Sequence, residues 1–259
     1  MLILDYACCN VPVMPLRREP SHRSEQVSQL LFGEKAEIVY LDSNGWTQIK
    51  SKWDDYEGWC TRSQLSIISK SDYAKETRYS VVRNADKLLI DEAETWIPAG
   101  AELKKGHFNL DIGPVRFKGR KKKTIDLECT RDALLHAAMM YLNAPYQWGG
   151  RTIAGIDCSG LTQMAYKLCN RRIPRDASQQ AGEGHTIDFL QNAEPGDLAF
   201  FDNNEGRINH VGLLIDNKTI IHATEVAGRV VIDKIDQGGI ISTRFKKRTH
   251  NLRLVKRYT

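Results

Sequence analysis

The first 123 residues contain no apolar repeat of helical period, which limits what they can build. Their apolar residues come in short runs, such as "AEIVYL" and "WTQIK", divided by the turn-rich "DSNGW" and "WDDYEGW". Short runs bounded by Gly, Asn and Asp read as strands. Asn44-Gly45 supplies the left-handed backbone of a tight hairpin. Trp46, Trp53 and Trp59 read as core and groove aromatics. A second β-rich stretch runs from about Tyr79 to Lys118 and carries "WIPAGAEL" and the break "DIGPV". The reading is two small β-barrel modules, 1–72 and 73–125, joined near "SKSDYAKE".

The rhythm changes at Ile125. In "TRDALLHAAMMYL", Thr130 can cap a helix whose Leu134, Ala138 and Tyr141 share one face. "NAPYQWGG" ends it, and a second helix begins near Cys158. Strand-like segments follow: "DLAFF" (197–201), "HVGLLI" (210–215), "TIIHAT" (219–224) and "RVVIDKI". Helices followed by an antiparallel meander make an α+β domain over 126–259.

Composition narrows the class. At 259 residues, with 41% hydrophobic and 27% charged residues, the chain can bury a core without disulfide staples. No apolar run reaches the ~18 residues of a membrane span. "MLILDYACCN" has neither a basic start nor a long apolar stretch and does not read as a signal peptide. The expectation is a cytoplasmic protein, or a periplasmic or extracellular one if a leader has been removed. The formal net charge is +5, and much of it comes from "KGRKKK" (118–123) and "RFKKRTHNLRLVKR" (244–257). The first cluster has no interleaved aromatic ring and the second alternates like a half-buried strand. Both read as solvated faces, and no nucleic-acid partner is expected. Of the six cysteines none forms a CxxC pair. Apart from Cys158, they read as buried small apolar residues.

Cys158 sits in "GIDCSGL". Leu161, Met164, Ala165 and Leu168 form a buried stripe, and Cys158 lies on the same face in the first turn. Free N–H groups and the positive helix end there favour a thiolate and would bring its pKa toward neutrality. An inert core cysteine is the alternative. His210 and His222 lie symmetrically about Asp216, so a hairpin centred there brings them onto neighbouring strands. A cysteine beside two histidines gives nucleophile, base and orienting group. A metal site would lack an obvious fourth ligand. His22, His107, His136, His185 and His250 have no such context and read as surface or core residues.

"PYQWGGRTIAGIDCSGL", "EPGDLAFF", "INHVGLLI" and "IIHAT", in that order, resemble the NlpC/p60 cell-wall peptidases over about 126–255. The resemblance implies a papain-like cysteine peptidase that cuts peptidoglycan stem peptides between γ-D-glutamate and a diamino acid. Cys158 would be the nucleophile, His210 the base and His222 the orienting residue. The β modules resemble bacterial SH3-like domains, and the layout looks like the family's murein-peptide dipeptidyl peptidases. That implies a substrate with a free N-terminal L-alanine. Its amine would be met by Glu25, Tyr56, Asp157 and Ser159, because a buried ammonium needs polar partners. Trp148 and Asp176 match family cleft positions. Ala177 departs from the pattern, which often has serine directly after that aspartate. No cofactor or metal is expected, and the chain is expected to act as a monomer. An amidase or acyltransferase on the same fold, a hydrolase of intact wall, and a non-catalytic wall-binding protein are the rivals.

Overall fold

A short apolar run buries only alternate side chains, so it gains most as one strand of a sheet. The computed structural model describes residues 3–258 and divides into two units, Met1–Leu127 and Glu128–Thr259. In the first unit β1 (Asp5–Cys9), β2 (Val13–Arg17), β3 (Gln26–Leu31), β4 (Lys35–Leu41), β5 (Trp46–Ser51), β6 (Glu57–Thr61) and β7 (Leu65–Ile67) make one sheet, ordered β3-β2-β6-β5-β4-β1-β7. Its inner side chains include Met14, Leu16, Leu30, Ile38, Ile49 and Leu65, packed as one core. The β4–β5 hairpin turns at Asn44-Gly45, where Gly45 has φ +84° and the Asp42 carboxylate accepts the Asn44 and Trp46 N–H groups.

The joint between the β-rich stretches is not bare loop. It holds a short helix, α1 (Lys70–Ala74), capped by the Ser69 hydroxyl. The Lys35 and Lys52 ammoniums donate to carbonyls at its C-terminal end, including Asp72 O and Tyr73 O at 2.8 Å each. Cations there satisfy carbonyls that a helix end leaves unpaired. Beyond it lie β8 (Tyr79–Val81), β9 (Asp86–Ile90), β10 (Ala93–Ile97), β11 (Glu102–Leu103), β12 (Phe108–Leu110), β13 (Gly113–Lys118) and β14 (Lys121–Lys123). They form two small sheets, β10-β9-β13-β12 and β11-β8-β14. The basic run 118–123 is split between the end of β13 and β14, with Gly119 and Arg120 between them: Lys118 pairs with Glu94, and Lys121 lies over the Tyr79 ring.

The second unit starts with α2 (Arg131–Met139), capped by Thr130. The β15 (Arg151–Thr152) and β16 (Gly155–Ile156) hairpin then leads into α3 (Cys158–Lys167) and α4 (Ala177–Ala181). β17 (His185–Ile187), β18 (Leu198–Asp202), β19 (Ile208–Leu214), β20 (Thr219–Thr224), β21 (Arg229–Asp236), β22 (Gly239–Ile241) and β23 (Arg248–Arg257) form a sheet ordered β17-β23-β18-β19-β20-β21-β22. β22 also pairs with β23, so β23-β18-β19-β20-β21-β22 closes on itself. All ten residues of α3 are buried, not only the apolar stripe. It packs on α2, β19 and β20, and the Thr162 hydroxyl donates to Ser159 O or Gln180 Oε1. Among the described residues no helix is long and apolar enough to cross a membrane.

Candidate active site

Cys158 is the first residue of α3, and the chain before it fixes that helix end. Asp157 is the N-cap, and its Oδ1 accepts the Gly160 N–H at 2.7 Å. Its Oδ2 accepts the Gly149 N–H at 2.7 Å. Arg175, 1% exposed, grips the same carboxylate with both terminal nitrogens, at 2.7 and 3.1 Å, and donates to Ser159 Oγ at 2.8 Å. A buried bidentate pair with every oxygen bonded is the geometry in which burial of charge is tolerated. Gly160 is required by close approach: a Cβ there would lie 2.3 Å from Gly150 O.

The Cys158 thiol is 5% exposed and accepts backbone N–H groups from Ser159 and from Val211, the residue after His210. Burial, and next the Asp157 charge, push its pKa up to about 12 against the pull of those donors and Arg175. This reverses the expectation of a thiolate near neutrality. The helix-end donors are present, but removing the sulfur from water outweighs them.

His210 lies on β19 and His222 on β20. The register pairs Leu213 with Ile221, so the hairpin is centred one residue beyond Asp216 and the two histidines are diagonal neighbours. Their side chains still meet, with His210 Nε2 2.9 Å from His222 Nδ1. Gly212 makes room for this, because a Cβ there would come within 3.0 Å of His222 Cβ. The series continues through His222 Nε2 to Asp233 Oδ2 at 3.3 Å, and Asp233 Oδ1 accepts the Thr243 N–H at 2.6 Å. Burial would raise the Asp233 pKa, but the hydrogen bonds from His222 and Thr243 hold it below the ordinary value. An ionised Asp233 can only accept, so His222 Nε2 carries the proton and His222 Nδ1 accepts from His210 Nε2. His210 Nδ1 is then left with a lone pair. Burial first, then His250 and His222, press the His210 pKa well below its ordinary value, so this imidazole rests neutral.

Asp233, His250, Tyr146 and Arg175 also belong to this neighbourhood, and none was among the expected site residues. His250, on β23, stacks face to face on His210, with centroids 4.0 Å apart and planes at 20°. Phe201 lies near both rings, at 5.6 Å from His210 and 5.8 Å from His250. The ligand nitrogens of His210, His222 and His250 lie within 4.8 Å of one another. Yet a metal ion sits in the plane of each imidazole that binds it, and two nearly parallel rings share no such point. His210 and His222 are, moreover, hydrogen-bonded to each other. The geometry therefore fits a proton-handling set better than a metal site. Tyr146 is half-buried close enough to feel the charges of Cys158 and Asp157, which add to burial in raising its phenol pKa. One signal for Asp233 was available: it shares the inward phase of its strand with Ile235, an unusual place for an acid.

The remaining expected residues divide between the units. Trp148 is 54% exposed and directly precedes Gly149, whose N–H binds Asp157. Asp176 caps α4, with its N–H on Gln179 Oε1 at 3.4 Å, and Ala177 is buried behind it. Glu25 and Tyr56 belong to the first unit. Glu25 pairs with Arg18 at 2.8 Å, and Tyr56 lies in the β5–β6 turn with its N–H on Asp54 Oδ1.

Residues 143–249 match the NlpC/P60 family, and residues 16–65 match the bacterial dipeptidyl-peptidase SH3 domain. The chain is 28% identical over 255 residues to dipeptidyl-peptidase 6 of Lysinibacillus sphaericus, covering 86% of this chain and 89% of that one. It is 29% identical over 224 residues to the γ-D-glutamyl-L-lysine dipeptidyl-peptidase of Bacillus subtilis strain 168, covering 79% and 74%. In fold it is similar to the crystal structure of an NlpC/P60 family protein from Bacillus cereus ATCC 10987. The TM-score is 0.82 at 20% identity, over 98% of this chain and 99% of that one.

Proposed function

We propose that this chain, an NlpC/P60-family peptidase carrying a bacterial dipeptidyl-peptidase SH3 domain, hydrolyses the bond between γ-D-glutamate and a diamino acid in peptidoglycan stem peptides. One observation carries the reaction type: a thiol at a helix start beside a buried His210–His222–Asp233 series. The substrate class is supported by the likeness to relatives named as dipeptidyl-peptidases.

In this reading His210 Nδ1 takes the Cys158 proton as the sulfur attacks the γ-carbonyl. A neutral thiol and a neutral imidazole make this a concerted general-base step rather than attack by a stored thiolate. The oxyanion meets N–H groups at the start of α3, that of Cys158 among them. His222 steadies the imidazolium, and Asp233 fixes the His222 tautomer. His210 then protonates the leaving amine. The acyl thioester remains, and water, deprotonated by His210, releases it.

The preference for a free N-terminal L-alanine belongs to the same proposal on the strength of the resemblance, as does a part in it for Glu25, Tyr56, Trp148, Asp157, Ser159 and Asp176. Asp157 already accepts four N–H donors inside the fold, so its contribution is negative charge and a fixed helix end. The test is release of the diamino acid from L-Ala-γ-D-Glu-diamino acid, followed by mass spectrometry. Cys158→Ala should abolish it, and retained release would overturn the mechanism. Equal cleavage of the N-acetylated peptide would overturn the free-amine requirement alone.

A further inference from the structure

Of the cysteines expected to be buried, Cys129 is exposed and the others are not. Cys8, 5% exposed, lines a cavity in the first unit, none of whose lining residues belongs to the site just described. The cavity measures about 510 Å3, within the ~300–1,000 Å3 usual for small-ligand sites. Three pieces of chain enclose it: the β3–β4 turn, α1 with the residues after it, and the stretch from β11 to β12. Two of these are locked by backbone. The Glu102 N–H donates to Phe32 O at 2.8 Å. Gly33, at φ +79°, permits that approach, since a Cβ there would lie 2.0 Å from Glu102 O. Lys35 ties in the third by donating to Asp72 O at 2.8 Å and Lys75 O at 2.5 Å. The cavity is therefore built into the fold.

Its wall is apolar. Phe32, Ile68 and Leu103 are buried there, and the Phe108 ring lies 6.4 Å from that of Phe32, centroid to centroid. Its exposed lining is charged, and the acids in it are already engaged. Asp72 lies between Lys75, at 2.7 Å, and Lys104, at 3.6 Å, which hold its pKa below the ordinary value. Glu76 pairs with Lys52 at 3.5 Å, and Glu102 accepts from the Thr77 hydroxyl. The Lys104 ammonium also lies over the Phe108 ring, at 5.9 Å. Arg78 and Lys105 remain. Both are exposed, and among the described residues neither side chain has an ion-pair partner.

We propose that this cavity binds a small organic anion, a carboxylate carried on a hydrocarbon body. The body lies against Phe32, Leu103 and Phe108, and the carboxylate sits at Arg78 and Lys105. Each half of the ligand answers one half of the site. Apolar surface leaves water against the wall, which is the non-directional part of the attraction. The two uncommitted cations supply the sign preference, because the carboxylates nearby are neutralised by their own partners. A cation of the same shape meets surplus positive charge. An inorganic anion leaves the apolar wall uncovered.

The test is titration calorimetry on the full chain with octanoate, octanol and octyltrimethylammonium, each kept below micelle formation. Octanoate should bind once per chain, and the ammonium about tenfold more weakly or not at all. The double charge reversal Arg78→Glu with Lys105→Glu should weaken octanoate about tenfold and leave octanol unchanged. Phe108→Ala should weaken octanoate and octanol alike. Melting curves without ligand report whether each variant folds, and Arg78→Gln with Lys105→Gln replaces the double reversal if that chain does not. Absence of octanoate binding, equal binding of the ammonium, or octanoate affinity unchanged in the charge variant or in Phe108→Ala would each overturn the proposal. None of these outcomes depends on peptidase activity.

Discussion

The His250 ring covers one face of His210 at 4.0 Å, and Phe201 packs against both rings, so the proposed base is hemmed in by a second imidazole and a phenyl ring. A base that must meet a sulfur in one orientation loses rate when it can turn, by as much as ~100-fold for small misplacements. His250→Leu keeps the site apolar but removes the stacked ring. It should lower kcat by about 10-fold or more, with KM little changed. Because His250 is one of the groups pressing the His210 pKa down, its removal should also move the acid limb of the pH profile to higher pH. An unchanged profile and kcat would show that the stack does not position the base. Nothing local in the sequence marked His250: it comes 28 residues after His222, inside a run dominated by Lys and Arg. The thiol illustrates a different limit. Its place at a helix start was legible, but its burial depends on β19, some 50 residues further on, and burial decides the direction of its pKa.

Among the elements, the β19–β20 hairpin leaves little slack at Gly212. A Cβ at position 212 would sit 2.6 Å from Ile220 Cδ1 and 3.0 Å from His222 Cβ. Gly212→Ala should force these strands apart, costing about 1–3 kcal/mol of stability by overpacking. Activity should fall further than stability, since the displaced residue is His222; urea unfolding and turnover measured on one preparation would show it. An alanine variant with normal turnover would mean that the strand absorbs the methyl group elsewhere. The hairpin was readable from "HVGLLIDNKTIIHAT", and only its centre was off by one residue. α3 was readable as one buried stripe, yet all its faces are covered. Burial of Gln163 and Thr162 is possible because α4 and the loop before it supply Gln180 Oε1 and Ile173 O as partners. Such partners come from distant chain and leave no periodic trace. The short helix α1 was invisible for another reason: five residues are too few to show a period.

For the whole molecule, buried His210 and half-buried His250 set an acid limit. His210 and His250 both have folded pKa values below 6.5, His250 at about 4, chiefly through burial. Below pH 6.5 the unfolded chain binds protons that the folded chain refuses. The stability they contribute is therefore complete above about 6.5 and drains as pH falls toward 4. For His250 alone that is at most about 3 kcal/mol. Calorimetry between pH 7 and pH 4 should show the melting midpoint falling across this window, and a flat response would contradict neutral burial of the pair. The broad plan, β modules and then an α+β unit, could be read from rhythm alone. Closure of the last sheet could not, since the β22–β23 pairing joins segments whose register is set only in three dimensions. That closure restricts how a peptide can be held. Most strand edges in that ring are paired, although β19 and β20 share only the pairs Leu213–Ile221 and Leu214–Ile220, and β17 presents three residues at an edge. Docking by extension of the sheet, a common way of binding extended peptides, is confined to those short stretches. A γ-linked D-residue, as in the proposed substrate, breaks the repeat on which such docking depends, so a barrel with few free edges forfeits little toward that peptide and gives extended protein chains little foothold.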